Sequence, residues 1–229
     1  MEAARGGGRF IALEGPDGAG KSSVAERLTA RLFAVGHSAL LTREPGGTRL
    51  GEQVRGILLD TASVARAPET DALLFNAARS QLVREVIRPA LARGEVVVCD
   101  RFADSTLAYQ GYGSGLDLAM LRDLEASATD GLRPDLVILL DVPVPVGLAR
   151  RGRGDPSALT RFEDEARHNA AFHERVRAGY LELARADPSR WCVIDANRAP
   201  DEVEEDVAAA ALEFLGANEP TNRLARIRG

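Results

Sequence analysis

Of the 29 lysine and arginine residues in this chain, only Lys21 is a lysine. It stands in Gly15-Pro16-Asp17-Gly18-Ala19-Gly20-Lys21-Ser22, which fits G-x-x-x-x-G-K-S/T, the spacing of a phosphate-binding loop. Glycines in that pattern let backbone N–H groups curl around phosphate oxygens, and the helix that follows presents its positive end to them. A flexible ammonium reaches between β- and γ-phosphates, where a planar guanidinium has to fit a different geometry. Ser22 is expected to place its hydroxyl on Mg²⁺. Taken alone, such a motif also fits a flexible glycine turn before a helix.

Two further groups point toward phosphoryl chemistry. Asp100-Arg101 closes the apolar run Val96 to Cys99. A carboxylate there can hold Mg²⁺, directly or through water, while the arginine clamps a phosphate; a surface ion pair at a strand end is the plainer reading. Arg150, Arg151 and Arg153 alternate with Gly152 and Gly154, ahead of Pro156. A charge run is usually a solvated face, but these glycines mark a mobile flap whose arginines stabilise the charge of phosphoryl transfer. With one lysine in the chain no Asn-Lys-x-Asp segment exists, which removes the usual guanine-reading signature. His168 and His173 are off the helical i, i+4 spacing and receive no role. Cys99 and Cys192 lie in or beside apolar runs and read as reduced thiols.

The elements that must position these groups alternate along the chain. Phe10 to Leu13 reads as a buried strand ending at the glycine loop. A helix follows with Val24, Leu28, Leu32 and Val35 on one stripe, stopped by Gly36. Ala39 to Thr42 is a second strand. Helices through Val54, Ile57 and Leu58 and from Glu69 to about Ala92 lead to the third, Val96 to Cys99. Helical segments near Ser105–Gln110 and Leu116–Ala128 precede the fourth strand, Leu136 to Leu140. A long amphipathic stretch over about 162–186, a fifth strand at Trp191–Ile194 and a helix over Pro200–Leu215 complete the pattern. Strands alternating with helices imply an α/β fold with a parallel sheet covered on both faces, and ligands then bind at the carboxyl ends of the strands. The glycine loop, Arg43-Glu44-Pro45, Asp100-Arg101 and Asp141 all fall at such ends.

At 229 residues the chain suits one domain, expected over residues 1–216, with a flap at about 150–161 and a disordered tail over 217–229. The 45% hydrophobic fraction is enough for a core, and the net charge of −5 argues against broad nucleic-acid binding. No apolar run approaches the roughly 18 residues that span a bilayer, and the first residues have no signal-peptide pattern. A cytoplasmic location is expected, with no nucleic-acid or membrane partner.

Over about Phe10 to Leu215 the chain resembles the thymidylate kinase family. Leu13 to Ser22 is similar to that family's phosphate loop, and Thr42-Arg43-Glu44-Pro45-Gly46-Gly47-Thr48 to its second motif. Phe75 and Arg79 match its F-x-x-x-R, and Asp100-Arg101-Phe102 with Ser105 and Ala108-Tyr109-Gln110-Gly111 matches its next segment. The resemblance implies a P-loop NTPase fold with a five-stranded parallel sheet, ATP and Mg²⁺ at the donor side, dTMP as acceptor, and a homodimer. Gly15, Pro16, Asp17, Gly18, Ala19, Gly20, Lys21, Ser22 and Ser23 are then expected around ATP, with Ser22 and Asp100 on the metal. Phe75 is expected to stack on thymine, Arg79 to donate to its O4, and Ser105 and Thr106 to line the base pocket. Asp17 would accept from the sugar 3′-OH, and Tyr109 would stand beside C2′ and favour deoxyribose. Arg101, with Arg43, would hold the acceptor phosphate, and Pro45 would follow a cis peptide.

Some members of the family carry the catalytic arginine inside the phosphate loop, at the place of Gly18. Here the charge is expected from the flap, as in the bacterial-type members, on Arg151 and Arg153, with Arg161 a weaker candidate. The implied reaction passes the γ-phosphoryl of MgATP to a dTMP oxygen that is already anionic, so positioning and charge stabilisation carry it, without a strong general base. Lys21, Arg101, Arg151 and Arg153 are the expected catalytic residues. The alternatives are another nucleoside-monophosphate kinase, a deoxynucleoside kinase with Glu14 as the base, and a nucleotide-binding regulatory module. Asn197 and Arg198 lie where an adenine contact or a simple turn would fall.

Overall fold

The computed structural model describes residues 7–59, 65–151 and 170–217. Five strands, β1 (Arg9–Glu14), β2 (Ala39–Arg43), β3 (Val96–Asp100), β4 (Leu136–Asp141) and β5 (Trp191–Asp195), form one parallel sheet in the order β2-β3-β1-β4-β5. Every neighbouring pair is parallel, with Leu13 opposite Asp100 on one side and Ile138 on the other. Successive strand residues point to opposite faces, and both faces are buried. Ile11, Leu13, Val98, Ile138 and Leu140 pack against Val24, Leu28 and Leu32 of α1 (Lys21–Ala34) on one side. On the other, Phe10, Ala12, Val97 and Cys99 form one cluster and Val137 and Leu139 another. This accounts for the continuous apolar runs read from the sequence.

The remaining helices are α2 (Arg49–Leu59), α3 (Pro68–Leu82), α4 (Arg88–Ala92), α5 (Ala103–Thr106), α6 (Leu118–Thr129), α7 (Val144–Arg151), α8 (Ala170–Ala186) and α9 (Pro200–Ala217). Pro68 opens α3, where its missing N–H costs nothing, and Glu69 and Asp71 complement the positive helix end. Three expectations are refined. The helical arm after Pro68 is interrupted by a π-helical stretch, Val83–Ile87, and the segment expected as a helix near Ser105–Gln110 passes into a second one, Leu107–Gly113. Val35 is not on the buried stripe of α1: it follows the last helical residue and is 50% exposed. The flap beyond Arg151, residues 152–161, and the tail from 218 onward lie outside the described residues, as do Arg153, Arg161 and His168.

β1 lies between β3 and β4, so the loop after β1 opens where the strand connections diverge in two directions, the place where a crevice forms in such sheets. Cys99 is buried and Cys192 partly buried, both as free thiols.

Candidate active site

The loop between β1 and α1 is built against α7. Gly18 has φ +77°, and a Cβ there would stand 2.1 Å from the carbonyl oxygen of Gly147. Position 18 therefore has no room for a side chain while α7 keeps its seat. Lys21 is buried and donates to the carbonyl oxygens of Gly15 at 3.0 Å and Pro16 at 2.9 Å. Burial, with Arg101 nearby, pushes its ammonium pKa down to about 8, and Asp17, Asp100 and Glu14 only partly offset that.

Ser22 Oγ donates to Asp100 Oδ2 at 2.5 Å, joining the loop to the end of β3. Asp100 Oδ1 is buried without a hydrogen-bond partner among the described residues. Two adjacent hard oxygens, one of them unsatisfied, fit a Mg²⁺ ion that takes its other ligands from water and nucleotide phosphates. Among the described residues, no cluster of three or more His, Cys, Asp or Glu side chains offers an all-protein metal cage.

Arg101, Asp17 and Tyr109 form a closed network. Arg101 Nη2 lies 2.7 Å from Asp17 Oδ1 and 3.2 Å from the Tyr109 hydroxyl, which donates to Asp17 Oδ2 at 3.0 Å. Burial alone would raise the Asp17 carboxyl, but Arg101, Lys21 and Arg151 together bring it below the ordinary value. Arg151 is exposed at the last residue of α7, and its charge reaches Asp17. Arg150, beside it, donates to the Ala196 carbonyl at 2.9 Å and ties α7 to the loop after β5.

Arg79 sits in a buried polar network. It is 1% exposed, and its guanidinium binds Glu44 at 2.7 Å, Asn76, Thr106 and the Phe102 carbonyl. Phe75, one turn earlier, is half-buried and faces the cavity. The peptide before Pro45 is cis. Arg43 holds Glu52 at 3.1 Å, and Arg55 donates to the Pro45 carbonyl at 2.8 Å.

Many of these groups border one cavity of about 1280 Å³, above the usual range for a single small ligand. Its walls include Asp17, Gly18, Ala19, Gly20, Lys21, Ser22 and Ser23 from the loop, and Arg43, Pro45 and Phe75 from the β2 side. Asp100, Arg101, Ser105, Thr106, Tyr109 and Arg151 line it as well. Gly15, Pro16 and Arg79 stand behind that wall rather than on it. Arg198 lines the cavity, with its guanidinium drawn to Asp206 and the Asp195 carbonyl, while Asn197 donates its backbone N–H to Asp195.

Three residues on or behind the walls had no motif signal. Arg55 lines the cavity from α2. Arg177 on α8 makes a two-pronged bond to Asp141 at 2.7 and 2.8 Å, fastening that helix to the end of β4. Tyr180, one helical turn further, reaches Glu14, Ser105 and Arg101. Arg177 and Tyr180 depend on partners dozens of positions away, and the amphipathic period of the helix marks only which face is buried; Arg55 has its partner, Pro45, ten positions earlier but belongs to no motif. Glu14 itself is fully buried and accepts from Phe102 N, Ser105 N, Ser105 Oγ and Tyr180 Oη, so it offers no free face to a substrate hydroxyl.

Comparison with known proteins gives a consistent pattern. A family model described as thymidylate kinase matches residues 13–207. The thymidylate kinase of Deinococcus radiodurans is 52% identical over 207 residues, covering 90% of this chain and 97% of that protein. The thymidylate kinase of Thermomicrobium roseum is 54% identical over 206 residues, covering 90% and 95%. The crystal structure of thymidylate kinase from Ehrlichia chaffeensis superposes with a TM-score of 0.72 at 31% identity, covering 90% of this chain and 99% of that one.

Proposed function

Because the chain belongs to the thymidylate kinase family, we propose a division of labour for the residues gathered around its cavity. The reaction moves the γ-phosphoryl of ATP onto dTMP, giving dTDP and ADP, which makes the chain a phosphotransferase of nucleotide biosynthesis. Residues Gly15 to Ser23 cradle the triphosphate through backbone N–H groups, and Lys21 spans its β- and γ-phosphates. Ser22 and Asp100 would hold Mg²⁺, which would neutralise negative charge on the triphosphate.

On the acceptor side Phe75 stacks on thymine, and Ser105, Thr106 and Pro45 shape the pocket. Arg79 reaches O4 with the one guanidinium proton its buried network leaves over. Asp17 accepts from the 3′-OH, and Tyr109 fills the space beside C2′. Arg43 and Arg101 hold the acceptor phosphate, with Arg55 adding charge to the same wall. An oxygen of that phosphate attacks the γ-phosphorus in line; the new O–P bond forms as the bond to the β-bridging oxygen breaks, and ADP leaves. Arg151 and Arg153 supply the positive charge that stabilises the equatorial oxygens of the γ-phosphoryl.

The observation that carries this reading is the convergence of loop, Arg101-Asp17-Tyr109 network, Phe75 and Arg151 on one cavity. A nucleoside acceptor would need a base at its hydroxyl, and Glu14, the side chain to supply it, is saturated and buried. Gly18 supports placing the charge on the flap, since α7 leaves no room for a loop arginine. Single-turnover kinetics test the assignment: Arg151→Ala or Arg153→Ala should slow the chemical step by about 10³-fold while both substrates still bind, and unchanged rates in both would remove the flap from the mechanism.

The chain is read as a cytoplasmic homodimer. Among the described residues no helix is long and apolar enough to cross a membrane, and Leu73 on α3 and Met120 on α6, helices in mutual contact, leave large apolar side chains exposed.

A further inference from the structure

Tyr180 has no accessible surface, and its ring lies in the core with Val176, Leu183 and Trp191. Its ring meets the Tyr109 ring edge-on, centroids 6.3 Å apart, and its hydroxyl turns toward the polar groups of the site. That hydroxyl is 2.9 Å from Glu14 Oε2, 2.9 Å from Ser105 Oγ and 3.3 Å from Arg101 Nη1. The direction of these bonds follows from the groups present: a guanidinium only donates, a carboxylate accepts, and a phenol has one proton. Tyr180 therefore gives its proton to Glu14 and turns its lone pairs to Arg101. Burial, with Glu14 beside it, holds the phenol pKa well above the usual value, so that proton stays in place.

Glu14 anchors more than the phenol. It also accepts from the backbone N–H groups of Phe102 at 2.8 Å and Ser105 at 3.2 Å, which fix the turn carrying Arg101. That turn needs fixing, because Arg101 has φ +70°, a region that few non-glycine residues enter. Beyond the Tyr180 contact, the two-pronged Arg177–Asp141 bond fastens α8, which carries the phenol, to the end of β4.

We propose that Tyr180 is a positioning residue: its hydroxyl, anchored on Glu14, holds the Arg101 guanidinium in the orientation that receives the acceptor phosphate. The inference rests on the reading of Arg101 as the acceptor-phosphate ligand. The tie acts through one polar atom, since the ring is committed to the core.

Equilibrium titration with dTMP tests it in three variants, Tyr180→Phe, Arg101→Gln and the double substitution, each first shown to be folded by thermal unfolding. Tyr180→Phe keeps the ring and removes only the hydroxyl. It should weaken dTMP binding about five- to tenfold and leave ATP binding within about twofold of the parent. Arg101→Gln should weaken dTMP binding further, and adding Tyr180→Phe to it should cost less than about twofold more. Unchanged dTMP affinity in Tyr180→Phe, alongside a loss in Arg101→Gln, would overturn the positioning role. So would a fully additive loss in the double variant, since Tyr180 would then act without Arg101. Unchanged affinity in Arg101→Gln would instead strike down the acceptor-phosphate reading on which the inference stands.

Discussion

Arg79 Nε lies 2.7 Å from Glu44 Oε2, with both side chains almost wholly buried. The arginine that the sequence motif assigns to the base is thus also the counterion that keeps a carboxylate of the β2 turn inside the protein. Removing one partner of a buried pair leaves an uncompensated group and costs about 3–5 kcal/mol. Arg79→Ala should therefore lower the urea unfolding free energy by that order as well as weaken dTMP binding. A variant with parental stability and weakened dTMP binding would show that the pair contributes nothing to the fold.

Lys21 gives the pH dependence of ATP use. Its burial pushes the ammonium pKa down to about 8, below the ordinary lysine value. The protonated form binds phosphate, so kcat/KM for ATP should be flat below about pH 8 and fall as pH rises through it. With ATP bound, added negative charge favours the ammonium, and the limb in kcat should move to higher pH. An amine-specific reagent at Lys21 should abolish activity, with MgATP protecting. A kcat/KM profile flat to pH 9.5 would contradict the assignment.

Glu125, on α6, is the second buried carboxyl near Arg79, and its Oε1 has no hydrogen-bond partner among the described residues. Burial raises its pKa to about 8 despite Arg79, with Asp104, Glu44 and Glu14 adding to the rise. A carboxyl whose pKa is higher folded than unfolded binds its proton more tightly in the native state. Stability is then lost as pH rises from about 5 to about 8, and levels off beyond. Glu125→Gln removes that titration, so the variant should gain on the parent between pH 5 and pH 9 in urea unfolding. Parallel stability curves would contradict it.

The sheet was legible because its three central strands are buried on both faces and read as short apolar runs such as Val96 to Cys99, broken by glycines and by charged ends. The two π-helical stretches were not, since five to seven residues cannot separate a wider helical turn from an ordinary one. Val35 misled for a related reason: apolar character at the right spacing does not show where Gly36 has already ended the helix. At the site, residues tied to a contiguous motif, from Asp17 to Ser23 and from Asp100 to Tyr109, were found at or beside the cavity. Tyr180 was not, because its partners Glu14 and Arg101 lie 166 and 79 positions away. Arg79 shows a third case, in which the motif names the residue but not its ion pair with Glu44, 35 positions earlier.

If this cavity passes phosphate from MgATP to deoxythymidine monophosphate and to little else, ADP release in a coupled assay with MgATP and dTMP, dUMP, UMP, dCMP, AMP or thymidine in turn will show it. The expected result is the highest kcat/KM with dTMP, a marked loss with UMP where Tyr109 crowds a 2′-hydroxyl, and negligible turnover of thymidine, which brings no phosphate to Arg101. Turnover of thymidine but not dTMP, or ATP binding with no turnover of any monophosphate, would contradict it.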